Sequence, residues 1–133
     1  MVNTIRSRNS NRNTYNKMII NLPIYECKVH YIVVEKNEDI DKKQRFIYKK
    51  HKINKSVPKE EDGGSVGLMI PCFTDYYMII SKEEKNKINV ILHELSHCID
   101  FITQDRGIED TEEKAYLTAY IGDKILKHEF SIL

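Results

Sequence analysis

The apolar residues Ile88, Ile91, Leu92, Leu95, Ile99 and Ile102 recur three and four positions apart. That spacing lines them up along one stripe of an α-helix. Ser81 with Glu84 three residues on reads as a capping box that starts this helix. Gly107 ends it. Asp110 with Glu113 opens a second helix, whose stripe of Tyr116, Leu117, Tyr120, Ile121 and Ile125 extends to about Phe130. Two amphipathic helices on a short turn need an apolar surface to cover, and the first half of the chain has strand signals that can build one.

Between residues 24 and 35, Tyr25, Cys27, Val29, Tyr31 and Val33 alternate with Glu26, Lys28 and His30, the period of a β-strand. Ile32 and Val34 on the second face imply that its later part is covered on both sides. Residues 37–52 carry Ile40, Gln44, Ile47 and His51 at helical spacing, which predicts a short helix. Pro58, the acidic Glu60-Glu61-Asp62 and Gly63-Gly64 mark residues 55–64 as a loop. The glycine pair lacks the Gly-Lys-Ser/Thr ending of a phosphate loop. Residues 66–73 and 76–80 are β-prone runs that predict a hairpin about Thr74-Asp75. With 133 residues the chain has room for one domain, of α+β class. Residues 1–16, rich in Asn, Ser and Arg, bury too little to order and read as a disordered basic arm, leaving 17–133 as the folded domain.

No apolar run reaches membrane-spanning length, and Met18-Ile19-Ile20 is too short for a secretory core, so the expected location is cytoplasmic. Cys27, Cys72 and Cys98 form no CxxC pair and read as buried, reduced thiols. The formal charge of +1 conceals two halves. Residues 1–55 hold 13 Lys and Arg against 5 Asp and Glu, a net of +8, and residues 56–133 hold 8 against 15, a net of −7. The basic half could steer an acidic partner.

The chemistry sits inside the first of the two helices, at His93-Glu94-Leu95-Ser96-His97. Two histidines four residues apart are separated by roughly 40° around a helix and about 6 Å along it, so both imidazoles can reach one metal ion. Glu94 stands beside them, able to meet a metal-bound water. HExxH in this setting is the arrangement of zinc metallopeptidases. Asp100 and Thr103 stand where the metzincin pattern needs Gly and His, which excludes that class. The remaining common third ligand is a Glu on the next helix, Glu112 or Glu113. Glu113 has a capping role, and Glu112 shares its face with Ala115 and Ala119, so Glu112 is the better candidate. Cys98 points about 100° away from His97, toward the core. His30 and His51 are expected on solvated surfaces.

His93-Glu-Leu-Ser-His97, then Gly107-Ile108, then Glu112-Glu-Lys-Ala-Tyr116-Leu and Tyr120-Ile resemble the short gluzincin-type zinc metallopeptidases of bacteriophages and mobile elements over roughly residues 64–126. The resemblance implies a minimal zincin. In that fold a small mixed or antiparallel sheet packs on the HExxH helix, its edge strand borders the cleft, and the second helix carries the third ligand. Zn2+ would then be held by His93, His97 and Glu112, with Glu94 as the general base of peptide-bond hydrolysis and a peptide or protein as substrate. Tyr116, Tyr120 and His128 are candidates to stabilise the oxyanion, Asp100 to orient an imidazole, the strand at residues 76–80 to bind an extended peptide, and the loop at 56–65 to act as a lid. Two rival readings stand beside this one. The first is a catalytically silent zinc-binding structural or regulatory module. The second is a nucleic-acid- or virion-binding protein acting through Arg6, Arg8 and Arg12.

Overall fold

A computed structural model describes residues 17–55, 66–84 and 87–130. Four strands and three helices follow in the order β1 (Lys17–Leu22), β2 (Cys27–Val34), α1 (Glu38–Lys50), β3 (Gly67–Cys72), β4 (Asp75–Ser81), α2 (Ile88–Arg106) and α3 (Thr111–Phe130). The strands form one mixed sheet in the order β1-β2-β4-β3. β2 runs antiparallel to β1 and parallel to β4, and β3 pairs antiparallel with β4. The fold is therefore α+β, as expected. The expected arm at 1–16 and the loop at 56–65 lie outside the described residues.

Strand alternation decides the layers. Cys27, Val29, Tyr31 and Val33 of β2 join Tyr76, Met78 and Ile80 of β4 under α2 and α3. Ile32, Tyr77 and Ile79 turn to the other face, where Ile40 and Ile47 of α1 cover them. With both faces covered, β4 reads as an unbroken apolar run rather than an alternating one. α1 needs only those two isoleucines, seven apart, to bury its narrow stripe. β1 is a strand without a clear alternation signal in the sequence. Ile20 and Leu22 enter the core, and Pro23 begins a tight 3-10 turn that returns the chain to β2 through Glu26 in the left-handed region at φ 53°.

The helix ends divide between expectation and correction. Asp110 caps α3: its Oδ1 accepts the Glu112 and Glu113 amides at 2.8 and 3.0 Å. The Glu113 carboxylate lies beside the Tyr25 hydroxyl, which partial burial and this carboxylate hold above its usual pKa. Gly107, at φ 65°, closes α2. Its amide meets Gln104 O at 3.4 Å and the Ile108 amide meets Thr103 O at 2.8 Å, the paired bonds of a Schellman motif. The capping box at Ser81 does not form. Ser81 is the last residue of β4, paired with Val34, and its hydroxyl donates to Asn37 Oδ1. The ladder has taken its backbone, so α2 starts later, at Ile88, with Lys87 as cap and Glu84 ion-paired to Lys87 at 2.7 Å. Tyr116 and Tyr120, expected in the stripe of α3, are exposed; Leu117, Ile121, Gly122 and Ile125 face the core.

The three cysteines are buried and free. Burial pushes the Cys98 thiol up to about 12, so it stays protonated and unreactive. His30 was expected in solvent but is only 6% exposed. Its Nε2 lies 2.7 Å from Asp75 Oδ1, its ring stacks on Tyr77 at 4.4 Å, and its Nδ1 is buried without a partner. His51 Nε2 meets the Tyr77 hydroxyl at 2.7 Å, so it too is held against the sheet. Protonating His30 would put a second N–H on a nitrogen that has no acceptor. Desolvation accordingly lowers its pKa, outweighing the pull of Asp75, with Lys17 and Lys28 adding to the lowering. The unfolded chain then binds the proton more readily than the folded one. Stability should fall as pH drops through about 6.5, by at most about 1.4 kcal/mol per pH unit. Thermal unfolding of the wild type between pH 8 and 5 should show this loss, and His30→Gln should reduce it. Parallel curves for the two proteins would refute the assignment.

Candidate metal centre

His93 and His97 lie on the exposed side of α2, one turn apart. Their rings meet edge to face, with Nε2 atoms 3.2 Å apart. That separation can be checked against the chemistry. Two nitrogens bound tetrahedrally at about 2.0–2.1 Å from one zinc ion are about 3.3 Å apart. The observed separation is close to that edge.

Glu94 sits one residue round the helix and is only 5% exposed. It runs under the start of β3. A methyl group added at Gly67 would come 2.9 Å from Glu94 Cγ and 3.0 Å from its Oε2. Burial raises the carboxyl pKa, and the two neighbouring imidazoles oppose that rise. Gly67 is a site residue the sequence reading passed over. A glycine inside an apolar strand run is the available signal, since it marks close approach of another group to the backbone.

Glu112 is not brought to the histidines. It is exposed in the first turn of α3. Gly122 is the residue opposite Leu95, where an added methyl would come 3.2 Å from Leu95 Cδ2. The level of the histidines on α2 therefore corresponds to residues near 122 on α3, and Glu112 lies about ten residues, or roughly 15 Å, further down the hairpin. The cause is length: α2 continues nine residues beyond His97 before Gly107 turns the chain. The Glu113 carboxylate lies toward Tyr25. Among the described residues no group of three His, Cys, Asp or Glu converges.

The other expected roles are rearranged too. β4 has both edges paired, so it cannot take up an extended peptide; among the described residues β3, next to Glu94, is the strand with an unpaired edge on this side of the sheet. Tyr116 and Tyr120 line a groove with Leu22, Pro23 and Ile24 on the β1 side of the molecule, away from Glu94 at β3. His128 packs edge-on against Tyr31 at 5.9 Å. Asp100 is exposed on α2. None of the described helices is long and apolar enough to cross a membrane. Comparison with protein-family models, curated proteins and solved structures gives no match for the chain.

Proposed function

We propose that the chain is a zinc-dependent metallopeptidase of minimal zincin type. The observation that carries this reading is the 3.2 Å separation of the two exposed imidazole nitrogens, with a buried carboxylate next to them on the helix. His93 and His97 would hold the ion. Zinc so held would supply a Lewis acid and an acidified water. Glu94 would accept a proton at its carboxylate and return it to the leaving amine. β3, whose outer edge is unpaired among the described residues, would offer the substrate a strand edge beside that carboxylate. Pro71 lies within β3, and a proline is tolerated there because edge strands leave alternate amides unpaired.

A second reading is a zinc-binding module without hydrolysis: the described residues bring two metal-binding side chains together, one short of the three that hold a catalytic zinc. Activity on a mixed peptide library separates the two. We expect zinc-dependent cleavage by the wild type, and a fall of about 10²–10⁴-fold in Glu94→Gln. Gly67→Ala should also slow cleavage, by at least about tenfold, because the added methyl displaces a buried carboxylate that chemistry needs in place. Inert wild type and inert Glu94→Gln, both binding zinc, would discard the enzyme reading.

A further inference from the structure

Among the described residues nothing covers the outward face of α3, which is apolar at its centre. Tyr116 is 75% exposed and Tyr120 45%, and beside them Ile24, at the tip of the β1–β2 turn, is 88% exposed. A groove of about 340 Å³ separates the turn from the helix. A lone exposed aromatic is ordinary, but here two stand one turn apart on a helix face with an isoleucine alongside. Together these three expose roughly 400 Å² per chain. That is about the apolar share of one partner's side, near 800 Å², in a standard interface.

We infer that this face pairs with the same face of a second copy, the two α3 helices lying antiparallel about a two-fold axis between Ala119 and Tyr120. The sequence along the face supports a self-complementary fit. Its outward residues are Glu112, Tyr116, Ala119, Tyr120, Asp123 and Lys127, all exposed. Antiparallel pairing about that axis sets Glu112 against Lys127 of the second copy, Tyr116 against Asp123, and the small Ala119 against the large Tyr120. Each pair is complementary: an ion pair, a phenol that donates to a carboxylate, and a side chain received over a methyl. A two-fold axis makes every such contact twice, as an isologous interface requires. Asp123 and Lys127, 3.2 Å apart within one chain, hold the charged end of the face in place. The histidine pair stays outside this contact. Leu95 faces α3, and His93 and His97 lie about 160° from it around α2, so both metal centres remain open in the dimer.

Sedimentation equilibrium of the full chain tests this. The wild type should weigh twice its 15.7 kDa chain mass at micromolar concentration. Tyr116→Glu should raise the dimer Kd about thirtyfold or more, as loss of a central interface aromatic does. The charge swaps are more specific. Glu112→Lys and Lys127→Glu should each be monomeric alone, since each sets like charges face to face. Mixed in equal amounts they should form a heterodimer. Unchanged far-UV circular dichroism of each variant excludes misfolding as the cause. A wild type that stays monomeric overturns the inference, and so does a mixture that fails to associate.

Discussion

Replacing His93 with alanine should remove zinc binding while leaving the fold intact. The wild type is expected to bind one zinc per chain, and His93→Ala or His97→Ala to weaken that binding by at least about a hundredfold. The reason lies in the geometry: the two Nε2 atoms stand one ligand–ligand edge apart, so losing either leaves a single nitrogen on an exposed helix face. Glu94→Gln should keep full stoichiometry, because its carboxylate lies under β3 and not between the imidazoles. Glu112→Gln should keep it too, given its place far down the hairpin; loss of zinc in that variant would put Glu112 back in the ligand set. Elemental analysis after dialysis gives the count. Thermal unfolding gives an independent readout, since zinc at about a hundred times its Kd should add about 2.7 kcal/mol to a chain that binds it only when folded. A wild type that retains no zinc and shows no shift would remove the metal centre altogether.

The second large effect should come from Arg106, which no motif singles out. Its Nε donates to Tyr25 O at 3.0 Å, Nη1 to the Tyr76 hydroxyl at 2.9 Å, and Nη2 to Phe73 O at 3.3 Å. One guanidinium therefore joins the end of α2 to the β1–β2 turn, the β3–β4 turn and the central strand. The Tyr76 hydroxyl in turn donates to Asp105 at 2.6 Å, and burial with that carboxylate holds its pKa well above the usual tyrosine range. Arg106→Ala leaves two carbonyls without this donor. It should cost about 2–4 kcal/mol, seen as a fall in Tm of about 10 °C. Arg106→Lys should recover only part of the loss, since a single ammonium cannot reproduce three fixed N–H directions. An alanine variant melting within about 2 °C of the wild type would show that the clamp contributes nothing measurable.

Legibility followed the range of the interactions. The α3 cap at Asp110 and the stop at Gly107 involve groups within five residues of one another, and both stand as expected. The β3–β4 hairpin comes from two neighbouring β-prone runs about Thr74-Asp75, and the face taken by Cys27, Val29, Tyr31 and Val33 from alternation within one segment. Ser81 had the same local capping signal as Asp110 and failed, because a strand 47 residues earlier pairs with it through Val34. β1 has only weak alternation of its own, and pairing with β2 sets Ile20 and Leu22 on the face that Val29 and Cys27 share.

The amino-acid order by itself determined the convergence of His93 and His97, because four residues of helix bring two side chains to one side whatever surrounds them. It also determined where α2 ends, and with that end the nine residues that carry the chain away from the pair. Tertiary structure alone decided that Glu94 is covered by Gly67, that β3 and not β4 lies at the edge of the described sheet, and that His30 is buried. Each of these depends on which distant segment occupies the neighbouring space, and helix spacing or strand alternation says nothing about that.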